Sequence, residues 1–479
     1  MKPSSPGQDL CPGCLSAPIT RRELLKNASS GFGMLSLSAL LADPAYAGLP
    51  GNGRTHFPPK AGNVIFCYMQ GAVSHVDTFD PKPKLDELDG KPADVEKTVA
   101  NKDPRKWLKS PWKFKRYGQS GIPVSDLFPH TSTCVDDLAI IRSMVSGFPL
   151  HPRGNILMHT GRNVGGYPSL GSWVNYALGS ENKNLPGYLL LHGGAVIPGG
   201  MENFSNGFLP ATNQAMPVQP EGTPVENLEP GDKDPVIQRS KLDLAMLQDR
   251  EYLASIGHDD AIESAIANAE MAYRMQSLVP DVLNLDKESE ATKKLYGLDS
   301  TDKNKRFFGL QCLRARRLIE SGVRFVEITS PEVYAGNNGT WDQHSELRKQ
   351  HADNAFFTDQ GVAALIKDLK ARGLWSETVM VWATEFGRTP HTASGDGRDH
   401  HETAFTVWLA GAGVKGGTTY GATDELGMKA VENITAVHDL HATILHLLGL
   451  DHKKLIYRFG GRDVSLTDVH GRVIQEVLA

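Results

Sequence analysis

With 479 residues the chain is long enough to bury a large core, and its 50 basic and 55 acidic residues leave a formal net charge of −5. No basic stripe with interleaved aromatics runs along it, which argues against a nucleic-acid partner.

The N-terminus reads as an address. Arg21 and Arg22, within Thr20-Arg21-Arg22-Glu23-Leu24-Leu25-Lys26, precede a mildly apolar stretch from Ala28 to Ala42, and Ala45-Tyr46-Ala47 supplies the small residues a signal peptidase cuts after. This order predicts a twin-arginine signal over residues 1–47, a linker over 48–61 and a single domain over 62–479. The apolar stretch is short for a bilayer. The expectation is therefore a periplasmic or secreted protein with the twin-arginine translocase as its export partner and no stable membrane span. Cys11 and Cys14 form a Cys-x-x-Cys pair, but inside the segment expected to be removed. The remainder keeps Cys67, Cys134 and Cys312, an odd number, so a hydrophobic core rather than a disulfide framework must hold the fold.

Past the signal, Asn63 to Met69 is a short apolar run rich in β-branched and aromatic residues, closed by Gln70-Gly71, and reads as a buried strand. Similar runs follow at Leu138–Met144, Tyr188–His192, Val323–Thr329, Thr378–Thr384 and Ala404–Ala410. Helical patterns cover Gln238–Met275, Lys305–Ser321, Ser345–Arg372 and Val437–Leu448. The alternation predicts an α/β fold with a mostly parallel central sheet, helices on both faces and long loop insertions. Pro81–Gly121 and Gly199–Asp234, rich in Pro, Gly and polar residues, read as loops able to cover a site.

Carboxylates and imidazoles gather just beyond these strands, the donor types a divalent-metal hydrolase needs. His75 and Asp77 follow the first strand, Asp342 and His344 follow the run ending at Thr329, and Asp399, His400 and His401 precede the last. These seven are the candidate metal ligands, with Asp342, His344 and either His400 or His401 as the core set. Ser74 and Asp77 are also good helix-capping types. Arg388, with Arg153 and Arg162, is a candidate clamp on an anionic ester.

The segments Gly71-Ala72-Val73-Ser74-His75-Val76-Asp77-Thr78-Phe79-Asp80-Pro81-Lys82-Pro83, Thr384 to Pro390, Gly397 to His401, Asp439 to Leu445 and Leu466 to Gly471 resemble the DUF1501 family, placed with alkaline phosphatases and sulfatases. The resemblance implies an alkaline-phosphatase-like fold with metal at the sheet's carboxyl edge. Glu385 falls where a second metal's Asp-His pair would stand, so one site is expected rather than two, for an ion that is zinc, calcium or magnesium. Met158-His159-Thr160-Gly161 resembles the segment after the sulfatase nucleophile, and counting back reaches His151. His151, Glu385 and Arg388 thus complete the expected catalytic set. The implied substrate is a small phosphate or sulfate ester, or a sulfated or phosphorylated glycan. The alternatives are a non-catalytic relative that binds anionic glycans, or an envelope structural protein.

Overall fold

A computed structural model describes residues 55–95, 104–219, 225, 234–257, 259–332, 340–393 and 395–479. Arg21, Arg22, Cys11, Cys14 and the whole predicted signal lie outside the described residues.

The elements used below are, in chain order, β1 (Asn63–Tyr68), β2 (Leu138–Val145), α1 (His151–Thr160), α2 (Leu170–Leu178), β3 (Tyr188–Leu191), β4 (Met216–Val218), α3 (Pro235–Ile256), α4 (Asp260–Leu283), α5 (Lys303–Glu320), β5 (Phe325–Thr329), α6 (Leu347–Ala371), β6 (Thr378–Ala383), β7 (Phe405–Gly411), β8 (Thr418–Tyr420), β9 (Thr435–Ala436) and α7 (Val437–Leu447). One nine-stranded sheet has the order β8-β2-β7-β6-β1-β5-β3-β4, with β9 also pairing β2. Its pairings are parallel except those of β7, which runs against both β2 and β6. The protein is an α/β protein with a mostly parallel central sheet and helices on both faces.

The sequence of β1 explains its central place. Side chains alternate across a strand, so one that is apolar at every position is buried on both faces. Val64, Phe66 and Tyr68 enter a core shared with α1, α2 and α7. Ile65 and Cys67 enter the opposite core, packed by α4, α5 and α6. Cys67, Cys134 and Cys312 are free thiols within these buried layers.

The predicted helix Gln238–Met275 is two helices. Gly257 takes a left-handed φ of 92° that ends α3, and the Asp259 side chain accepts from Ala261 N and Ile262 N to start α4. The predicted loop Pro81–Gly121 carries regular structure over its described part: Pro83–Leu88 is helical, Phe114–Tyr117 pairs antiparallel with Ile122–Ser125, and Lys106–Trp107 with His391–Thr392. Within Gly199–Asp234, the described residues include β4, which extends the sheet edge parallel to β3. Among the described residues no helix is long and apolar enough to cross a membrane.

A candidate metal centre

Three imidazoles and a carboxylate meet where the strand ends converge. The ends of β1 and β6 and the start of the reversed β7 lie at one edge of the sheet, which is where open α/β sheets gather ligands. Gly71, just past β1, has φ 106°, and a Cβ there would lie 2.3 Å from Thr340 Oγ1 and 2.8 Å from Asp342 N. Only glycine lets the segment bearing Asp342 approach so closely. The next residue, Ala72, is held at φ 70°, an unfavourable value for a side-chain-bearing residue. This turn aims the Gly71 and Ala72 carbonyls at Arg388, whose Nη2 and Nε donate to them at 2.5 and 2.9 Å.

His151 opens α1, whose N-terminal half sits against Glu385-Phe386. A Cβ on Gly154 would lie 3.0 Å from the Phe386 ring. His400 is set by a short antiparallel pairing, Arg388 opposite His400 and Gly387 opposite His401. Successive side chains of an extended segment point to opposite sides. His400 faces the centre, and His401 turns away to Met428 O at 2.7 Å.

His400 Nε2 lies 2.9 Å from His151 Nε2 and 3.0 Å from His344 Nε2. Asp342 Oδ2 is 3.2 Å from His151 Nε2, and its Oδ1 is 3.1 and 3.2 Å from the Nε2 atoms of His344 and His400. Donor atoms of His151, Asp342 and His400 all fall within 4.8 Å of one another.

The opposite ring nitrogens decide what this cluster can hold. His400 Nδ1 is 2.7 Å from Pro149 O, a carbonyl that only accepts, so Nδ1 carries hydrogen. His151 Nδ1 meets Glu385 Oε1 at 2.6 Å and His344 Nδ1 meets Asp399 Oδ1 at 2.9 Å. Glu385 is buried and accepts from Gly71 N at 2.8 Å and Thr384 Oγ1 at 3.0 Å, as an ionised carboxylate does. Asp399 is paired with Arg105. With Nδ1 of each ring held by an outer acceptor, Nε2 is the nitrogen each histidine can offer an ion once any proton on it has left, the arrangement that outer partners impose on metal-bound histidines. Nitrogens this close need a cation between them, a proton on one Nε2 or a metal ion that displaces it. The donor atoms of His151, Asp342 and His400 fit a divalent ion, and His344 Nε2 stands beside them, 3.0 Å from His400 Nε2.

The electrostatics agree with a site short of positive charge. Burial disfavours the charged form of His151, but its contacts with Asp342 and Glu385 outweigh this and raise it to about 9. Burial likewise opposes ionisation of Asp342, yet His151, His344, His400 and Arg388 hold it well below the usual carboxylate range. His344 brings Asp399 down to about 2, with Arg105 adding to the effect against burial. His400 is lowered, chiefly by burial. His344, with its side chain 42% exposed, is the open side of the cluster.

The remaining candidates are engaged elsewhere. Asp77 takes Arg398 Nε at 2.6 Å and Nη2 at 3.0 Å, and accepts from Ser74 Oγ at 2.5 Å. His75 Nε2 donates to Gly427 O at 2.9 Å. Asp399 stands behind His344 as its hydrogen-bond partner. Arg388 Nη2 meets Asp342 Oδ1 at 2.5 Å, with its side chain 1% exposed. Arg153 is exposed on α1 two residues from His151. Arg162, beyond the other end of α1, pairs with Asp468 at 2.8 Å and lies over the Tyr167 ring. Sequence reasoning missed Arg105, Tyr68 and Asn155; no motif marks them. A cavity of about 930 Å³ opens beside β4 and α4, lined by residues such as Asn175, Met216, Met271 and Met275, and none of the cluster residues borders it.

Fold and site together define an α/β protein with a candidate metal centre at the strand ends. The chain belongs to the family described as protein of unknown function (DUF1501), whose model matches residues 61–478. No curated protein matches it. Among solved structures it is similar to a protein in the alkaline phosphatase superfamily from Vibrio parahaemolyticus, at 11% identity and TM-score 0.36, over 83% of this chain and 70% of that one. It is similar to a 2-O GAG sulfatase, BT1596, at 10% identity and TM-score 0.38, over 87% and 74%. A third is the phosphonate monoester hydrolase SpPMH from Silicibacter pomeroyi, at 12% identity and TM-score 0.35, over 73% and 71%.

Proposed function

We propose that the protein is a metal-dependent hydrolase of phosphate or sulfate esters, exported by the twin-arginine route to the periplasm or beyond. The convergence of His151 Nε2, His400 Nε2 and the Asp342 carboxylate, with His344 Nε2 beside them, carries this reading. A bound divalent ion would supply Lewis acidity toward an anionic ester and offset the charge that develops as the ester bond breaks. His151, His400 and Asp342, with His344 beside them, would hold it, while Glu385, Asp399 and Pro149 O fix the rings. Arg388 holds Asp342, and Arg153 is the exposed cation nearest in sequence to His151 for meeting the anionic ester.

Water is the attacking group in this reading. Ser74 and Thr78 are 0% and 1% exposed, with their hydroxyls donated to Asp77 and to Ser74 O, so neither oxygen can reach an ester. His151 has both ring nitrogens committed, Nδ1 to Glu385 and Nε2 to the cluster, so it serves as a ligand and not as a nucleophile.

The test is metal content by mass spectrometry on signal-cleaved protein purified without chelator, alongside hydrolysis of aryl phosphates and aryl sulfates. One equivalent of metal with turnover, both lost in an Asp342→Ala, His400→Ala variant, supports the reading. Metal uptake without turnover on either ester class favours an anionic-glycan binder. Metal-free protein from several growth supplies would sink it.

A further inference from the structure

The face of α1 that packs on the sheet carries polar residues. His151, Asn155 and His159 stand at i, i+4 and i+8, so they share one side of the helix. A helical turn rises about 5.4 Å and neighbouring strands lie about 4.8 Å apart, so a helix laid across a sheet meets roughly one strand per turn. His151 Nδ1 reaches Glu385 just beyond β6 at 2.6 Å. Asn155 Oδ1 accepts from Tyr68 Oη of β1 at 2.6 Å, and His159 Nε2 meets Glu327 Oε1 of β5 at 2.6 Å. The strands β6, β1 and β5 are adjacent in the sheet. Tyr188 of β3, the next strand, donates to Glu327 Oε2 at 2.8 Å.

The row is tied at each step. Asn155 Nδ2 donates to Pro198 O at 2.9 Å, which turns Oδ1 toward Tyr68. Tyr68 Oη, which donates to Asn155 Oδ1, also lies 3.2 Å from Glu385 Oε2. His159 Nδ1 donates to Asn155 O at 2.7 Å while its Nε2 faces a carboxylate, so the ring is an imidazolium. This ion pair is 3% and 1% exposed, with the rings of Phe66, Tyr68 and Phe204 around it. Buried ion pairs add little net stability compared with apolar side chains of similar size, and the ester chemistry does not use this one.

We infer that Tyr68, His159 and Glu327 are positioning residues for the metal centre, fixing α1 lengthwise against β1 and β5 so that His151 meets Glu385 with Nε2 on the cluster. The inference rests on the metal-dependent reading. Loss of an outer partner at a metal site costs on the order of tenfold or more in affinity.

The experiment measures Zn²⁺ affinity of the signal-cleaved protein by competition with a chromophoric chelator, together with the unfolding midpoint of the metal-free samples. A His159→Leu, Glu327→Leu double variant replaces the pair by apolar side chains. It is expected to stay folded, with some loss of midpoint from the Tyr188 hydroxyl left without Glu327, while binding Zn²⁺ about tenfold more weakly. Glu327→Gln, which keeps an acceptor opposite His159, is expected to retain most of the affinity. Should the double variant fail to fold, Tyr68→Phe removes one hydroxyl and is expected to weaken Zn²⁺ binding in the same direction. Folded variants within twofold of the parent overturn this inference and leave the hydrolase reading standing. A parent that takes up no metal overturns both.

Discussion

Removing Arg398 should cost the domain stability without touching the metal ligands. The Arg398 guanidinium and the Asp77 carboxylate are each 0% exposed and meet through two hydrogen bonds of 2.6 and 3.0 Å. Arg398→Met leaves the carboxylate buried with Ser74 Oγ as its remaining side-chain donor. Breaking a buried pair by removing one partner costs about 3–5 kcal/mol, a large share of the roughly 5–15 kcal/mol that holds a typical protein folded. The double variant Asp77→Leu, Arg398→Met should regain most of that loss, since neither charge remains to be desolvated. Burial works to raise the Asp77 carboxyl, but the Arg398 charge and hydrogen bonds lower it overall. The pair's contribution is therefore present above the unfolded carboxylate value near pH ~4 and is lost as pH falls through the folded-state value. Urea unfolding at pH 7 and at pH 3, with metal content of each sample, is the assay. If Asp77→Leu, Arg398→Met stays folded but loses bound metal, Asp77 is a ligand and the assignment of it as half of a structural ion pair is wrong.

The alternation at Asp399-His400-His401 predicts unlike outcomes for neighbours. His400→Ala should abolish metal retention, and His401→Ala should leave it near the parent value; equal losses on mass spectrometry would contradict the register. Metal-free His151, raised to about 9, is protonated at pH 7, and an entering ion must displace that proton. Calorimetry in buffers of different ionisation enthalpy should therefore show proton release on Zn²⁺ binding, with affinity climbing from pH 6 to 9; a flat profile counts against the geometry. Arg105→Ala frees Asp399 from its partner and should weaken metal binding about tenfold through His344, read by the same chelator competition. Arg21→Lys with Arg22→Lys should trap the precursor in the cytoplasm, checked by cell fractionation.

The strands were legible because the sheet is buried on both faces, which turns β1, β6 and β7 into apolar runs that need no partner information. Asp342, His344 and His400 were legible as donor types beyond those strands. The choice between His400 and His401 was not, since it depends on which of them faces Arg388 across a two-residue pairing. Asp77 read as a ligand because its partner lies 321 residues further along. Asp399 read as a ligand because residue type does not separate an ion's own donor from the group behind it. His151 was found through a resemblance to a nucleophile position, and only its two ring contacts favour the proposed ligand role.

The proposed ligands come from three distant stretches of the chain, with only Asp342 and His344 sharing one. His151 and His400 are 249 residues apart, and Asp342 lies between them in sequence. Of these groups an emerging chain brings only Asp342 and His344 close together in sequence, too few donors for an ion to act as a folding nucleus. The cluster exists once β7 has inserted backwards between β2 and β6. Metal selection then falls to a finished cavity, in whichever compartment folding is completed, and an unfolded copy competes poorly for scarce ions.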